Sequence, residues 1–246
     1  MAATTPYQLE VCAYNVQSAL VAARAGAQRV ELCAAMAEGG TTPSYGVLQQ
    51  VRDSIGIALY PIIRPRAGSF CYDREEWDII QKDIQLCRQL GCEGISTGVQ
   101  LPDGSLDVEG LKRIVAWAGP MKVSCHRVFD VTPDPFLALE AAITAGCERI
   151  LSSGQQATAP EGAALLAALV REAGERIIIM PGSGVRAANI GALAAATGAR
   201  EFHTSARTGL AESVRYQHPL LHGFGTEPLA DVTELRQMLE VLNNNR

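Results

Sequence analysis

Long apolar runs are missing from this sequence. No window approaches the roughly 18 consecutive apolar residues of a membrane span, and the amino terminus carries neither a basic nor an apolar leader segment. The expectation is a soluble intracellular protein. Basic residues are also in short supply: 21 Lys and Arg against 26 Asp and Glu leave a formal net charge of −5. Nucleic acids and anionic membranes need clustered cations to displace counterions, so neither is expected as a partner. Aromatic residues make up only 5%, against 48% hydrophobic residues overall, which leaves the core to Ala, Leu, Ile and Val. The seven cysteines are an odd number with no CxxC pair, so a disulfide framework is not expected and free thiols are. HExxH, Walker and full GxGxxG motifs are all absent. No Ser/Pro-rich or charge-rich run marks a boundary, and 246 residues suit one domain over 1–246.

What is present is a strict alternation. Eight apolar runs that end in polar residues predict strands at 9–13, 29–33, 58–63, 94–97, 122–126, 149–151, 177–180 and 201–204. Helical patterns separate them. Asp73 and Glu76 have capping-box spacing before Trp77, Ile80, Ile84 and Cys87. Pro133, Asp134 and Pro135 open a helix with Phe136, Leu139 and Ile143 on one face, and Thr158 with Glu161 repeats the capping spacing. Four tetrads, beginning at Gly26, Gly91, Gly146 and Gly198, each fall between a helix and an even-numbered strand. Glycine there accepts the left-handed conformation that ends a helix. One such signal per two β-α units is the internal symmetry of a closed α/β TIM (β/α)8 barrel. The carboxyl-terminal part departs from it: 207–228 reads as an irregular loop, and Asp231 and Glu234 cap a terminal helix over 231–242.

In such a barrel the carboxyl ends of the strands share one mouth. The first two strands carry the same beat, Glu10 with Cys12 and Glu31 with Cys33, each pair pointing to one side of its strand. Two thiolates on adjacent strands suit Cu(I), a soft ion that accepts few ligands; strand cysteines also pack as small hydrophobes, and both readings stay open here. Glu31, Arg64 and His126 end strands two, three and five, a placement suited to anion anchoring and proton transfer or to a structural ion-pair layer. His203 reads as a hydrogen-bonded core residue. Gly182, Ser183 and Gly184 form a tight turn into a helix, and Ser205 lies in the next loop. Gly182, Gly184 and Ser205 are therefore the candidate phosphate cradle of a barrel enzyme acting on a small phosphorylated metabolite.

At these residues the chain resembles the CutC family, named for copper homeostasis. The resemblance is carried in order by LEVC, GAQRVELCAAMAEGGTTPSYGVL, PIIRPRAGSFCY, VSCHRVFD, RILSSGQ, IIIMPGSGV and EFHTSAR. It implies a TIM barrel, cytoplasmic and also nuclear in animal members, usually a dimer or tetramer. It further implies a Cu(I) site at Cys12 and Cys33, with copper as partner. Departures are small: Ser124 and Cys125 stand where the family has Thr and Phe, and Ala67 and Ser183 replace glycines.

Overall fold

Alternation of strand and helix is what the computed structural model contains, and it describes residues 7–208, 216 and 229–244. In chain order the elements are β1 (Gln8–Ala13), α1 (Val16–Ala25), β2 (Arg29–Leu32), α2 (Tyr45–Ser54), β3 (Ala58–Pro61), α3 (Arg74–Gln89), β4 (Gly94–Thr97) and α4 (Val108–Ala118). They continue as β5 (Lys122–Cys125), α5 (Pro135–Ala145), β6 (Arg149–Ser152), α6 (Ala163–Ala173), β7 (Ile178–Pro181), α7 (Ala187–Thr197) and β8 (Glu201–Thr204). A two-residue ribbon, β9 (Arg207–Thr208) with β10 (Leu229–Ala230), precedes α8 (Val232–Asn244). The expected loop at 207–228 lies largely outside the described residues. No helix among those described is long and apolar enough to cross a membrane.

The eight strands form two parallel four-stranded sheets, ordered β3-β2-β1-β8 and β4-β5-β6-β7. The sheets meet at two seams. At the first, Ile63 donates to the Ser96 carbonyl at 2.8 Å in an isolated bridge between the β3 and β4 segments. At the second, β7 and β8 lie side by side without a ladder. The result is a TIM-barrel-like ring whose hydrogen bonding is interrupted, where the sequence predicts a closed barrel.

Proline explains both interruptions. Along β3, Ala58 and Ile62 donate back to β2, so the intervening Pro61 faces β4 with no N–H to give. Along β7, Ile178 and Gly182 donate to the β6 side, so Pro181 likewise faces β8.

Helix ends follow the local chemistry. The tetrad glycines Gly26, Gly91, Gly146 and Gly198 all have positive φ, as the repeat requires. Asp73 and Glu76 close the capping box of α3, and Asp134 caps α5 with Pro135 at its first position. Two helix expectations shift. Phe136 is solvent-exposed, because α5 buries Ala138, Leu139 and Ala142 instead. Glu161 bonds Thr158 within a turn, and α6 starts only after Gly162.

Strand alternation sorts the side chains into two populations. Leu9, Val11, Val30, Leu32, Leu59, Ile95, Val123, Ile150 and Phe202 join the apolar core shared with the helices. The intervening positions point to the ring's interior. Eight of them are polar and buried: Glu10, Arg29, Glu31, Ser96, Ser124, Arg149, Glu201 and His203.

Candidate functional site

The floor of the ring is an ion-pair layer. Arg29, Gly94, Arg149 and Glu201 are the fourth residues of the four tetrads, and they open the even-numbered strands β2, β4, β6 and β8. A TIM-barrel interior is stacked in such layers from alternate strands. Glu201 lies between the two guanidiniums, 2.6 Å from Arg29 and 3.1 Å from Arg149. Arg29 also pairs with Glu10, and Arg149 with Glu148 at 2.6 Å. Tyr60 takes both arginines against its ring, at 5.0 and 5.1 Å from the centroid. Its ring occupies the space a side chain at Gly94 would need, since a Cβ there would stand 2.4 Å from it.

Glu10 links this floor to a sulfur site one layer up. Burial pulls its carboxyl upward, but Arg29, then His203 and Arg149, hold it down at about 2. Its other oxygen meets His203 Nδ1 at 2.7 Å, which turns Nε2 toward Glu31, 3.8 Å away. Cys12 on β1 and Cys33 just past β2 bring their sulfurs to 3.8 Å, and Cys33 lies 3.5 Å from a Glu31 oxygen. Ligand atoms of Cys12, Glu31 and Cys33 all fall within 4.8 Å of one another, and all three residues are buried.

The charge states are set jointly. The Cys33 thiol, donating to Cys12, outweighs burial and, with His203 and Tyr14, brings Cys12 well below the usual thiol range. Cys33 is raised in turn by that same bond and by burial. Burial, followed by the charge on Cys12, pushes Glu31 up to about 8. His203 is raised above its ordinary value: burial opposes this, but hydrogen bonds to Cys12 and Glu10 and the charge of Glu31 prevail. The two opposite shifts favour a thiolate on Cys12 beside a protonated His203.

Above the sulfurs opens a cavity of about 460 Å³, lined by Cys12, Glu31, Arg64, His126, His203 and the loops after β7 and β8. Arg64 is buried, donates to the carbonyls of Glu38, Gly40 and Gly68, and stacks on Phe70 at 4.8 Å. His126 meets the same ring at 5.0 Å. Its Nδ1 accepts from Val128 N at 3.1 Å, so Nε2 bears the proton. Burial, then Arg64, lowers it to about 3, which makes it a neutral donor at physiological pH.

Ser183, Gly184 and Ser205 line the same cavity, while Gly182 stays behind it; a Cβ at Gly182 would press on Leu151 and His203. The first N–H of α7 is already taken, by Glu234 of α8 at 2.9 Å. Thus Glu31, Arg64, His126, Cys12, Gly184 and Ser205 meet at one mouth, with Cys33 just beneath. His203 is the buried, hydrogen-bonded residue that the sequence suggested, and its ring also lines the cavity; the arginine floor is what sequence reasoning missed. The signal for the floor was present in the charged fourth residue of three tetrads.

The CutC family profile matches residues 7–208. A Chromobacterium violaceum family protein CutC is 52% identical over 209 residues, covering 85% of each chain. A Xanthomonas campestris pv. campestris family protein CutC is 48% identical over 235 residues, 95% of this chain and 98% of the relative. The crystal structure of CutC from Streptococcus agalactiae, named for copper homeostasis, superimposes with a TM-score of 0.76 at 32% identity. That match covers 81% of this chain and 98% of the other.

Proposed function

Since this chain belongs to the CutC family, we propose that it is a cytosolic Cu(I)-binding protein of copper homeostasis, with copper as its cargo. The observation that carries this reading is the buried pair Cys12 and Cys33, sulfurs 3.8 Å apart, where the Cys33 thiol and His203 lower Cys12 well below the usual thiol range. With a metal–thiolate bond of about 2.3 Å, the value for zinc, sulfurs at this separation subtend about 110° at the ion. A linear two-sulfur site would hold them farther apart, so a third donor completes the set. Imidazole suits copper better than carboxylate does. His203, its Nδ1 anchored by Glu10 as outer-shell carboxylates anchor metal-bound histidines, is the third ligand, and binding releases two protons to solvent, one from the Cys33 thiol and one from His203 Nε2.

The test is an anaerobic Cu(I) titration against a competing chelator, on the wild type and on Cys12→Ser/Cys33→Ser. One ion per chain is expected in the wild type and none held tightly in the variant; equal uptake by both would reject the reading. A homodimer or homotetramer is the expected assembly, and light scattering measures it.

One observation favours a second reading, an enzyme: Glu31, held near neutrality, faces a cavity of metabolite size. In that reading Glu31 moves the proton, Arg64 anchors the substrate, and His126 donates a hydrogen bond from its neutral ring. Turnover of a phosphorylated metabolite that is lost in Glu31→Gln would support it.

A further inference from the structure

Two buried donors in the cavity wall lack acceptors. Arg64 Nε and His126 Nε2 are both shielded from solvent and make no hydrogen bond in the protein. Each belongs to a residue that is at least 95% buried, and both residues line the 460 Å³ cavity. Buried polar groups are satisfied in nearly all native structures, so two orphaned donors against one ring, Phe70, call for an acceptor from outside the chain. Protons sit on both atoms, because His126 Nδ1 is spent on accepting from Val128. The missing partner is therefore an oxygen acceptor.

The charge of the cavity selects an anion. Four arginines line it, Arg64, Arg127, Arg186 and Arg207, against a single carboxyl, Glu31. Asp130 answers Arg127 at 2.7 Å and Glu234 answers Arg186 at 3.2 Å. Among the described residues no carboxylate pairs with Arg207. On the wall beside Arg186, the β7 turn runs through Ser183 and Gly184, both at positive φ, and Ser205 follows β8. Among the described residues, no acceptor is bonded to the backbone N–H of Ser183, Gly184 or Ser205. Such a turn presents successive N–H groups to an anion.

We propose that the mouth binds a small phosphorylated acid, with its carboxylate on Arg64 and His126 and its phosphate on the Ser183–Gly184 turn and Ser205. This ligand is the occupant that the enzyme reading requires, and its binding does not depend on whether Glu31 turns it over. Nor does it depend on the thiol pair.

The experiment uses the metal-free, 15N-labelled full-length chain with three probes: phosphoglycolate, inorganic phosphate and glycolate. Phosphoglycolate is expected to bind tightest, moving both the His126 Nε2–H resonance and the amides of Ser183, Gly184 and Ser205. Inorganic phosphate should move the amides and leave the imidazole unchanged. His126→Phe keeps the contact with Phe70 but loses the donor, and it should weaken phosphoglycolate binding about tenfold or more, with phosphate binding within about twofold of wild type. Cys12→Ser/Cys33→Ser should bind phosphoglycolate as the wild type does, which separates this proposal from the copper reading. The wild-type spectra decide even if the phenylalanine variant misfolds. An unperturbed His126 resonance at about 10 mM phosphoglycolate overturns the proposal. So does glycolate binding as tightly as phosphoglycolate.

Discussion

Glu201→Gln is the most informative perturbation of the barrel floor. The carboxylate accepts from Arg29 at 2.6 Å and from Arg149 at 3.1 Å, and all three side chains are at least 92% buried. The amide keeps the shape but removes the only negative charge lying between two cations. Arg29 retains Glu10 and Arg149 retains Glu148, so neither guanidinium is stranded, but their mutual repulsion is no longer screened. Breaking a buried ion pair by removing one partner destabilises by about 3–5 kcal/mol. For a chain of this size each kcal/mol lowers Tm by about 2–4 °C, so the loss comes to about 6–20 °C. Differential scanning calorimetry and urea unfolding at neutral pH give the two numbers independently. Because the layer is shielded from solvent, about 1 M salt should leave the difference between wild type and variant intact. A loss below about 1 kcal/mol, or one that salt erases, would refute the claim that the layer holds the ring together.

Other consequences are equally measurable. His126 is held at about 3 in the fold against 6.5 in the unfolded chain, so its contribution is complete above pH 6.5 and is lost as pH falls toward 3. Between pH 7.5 and 5.5 it should withdraw about 1 kcal/mol from the wild type and nothing from His126→Phe; parallel pH–stability curves would contradict this. Gly94→Ala drives a methyl into the Tyr60 ring, 2.4 Å away, and overpacking of this kind costs about 1–3 kcal/mol. Gly94→Ala in a Tyr60→Leu background should recover much of that loss in urea melts. Asp73→Ala removes the α3 cap and should cost about 1 kcal/mol, read in the same assay.

The order of strands and helices was legible because each element signals locally: apolar runs that turn polar, caps at fixed spacing, glycines at helix ends. The Thr158 and Glu161 spacing misled because the bond it predicts does form, but in a turn before Gly162. The interrupted ring was present in Pro61 and Pro181, yet their effect depends on which neighbour each N–H position faces, and that is a property of the register. The floor was hidden for a different reason. Arg29 and Glu201 are 172 positions apart, and His203 meets Glu10 across 193. A lone histidine in a strand carries no local pattern that would separate a packed ring from a ligand. The Glu-x-Cys beat was readable because strand alternation fixes which side chains share a face.

The most direct measurement is X-ray absorption at the copper edge of the anaerobic Cu(I)-loaded protein. Two sulfur neighbours and one nitrogen are predicted, with the nitrogen lost in His203→Ala and the sulfurs lost in Cys12→Ser/Cys33→Ser. A copper shell of oxygen and nitrogen alone, or one unchanged by the double serine variant, would contradict the account.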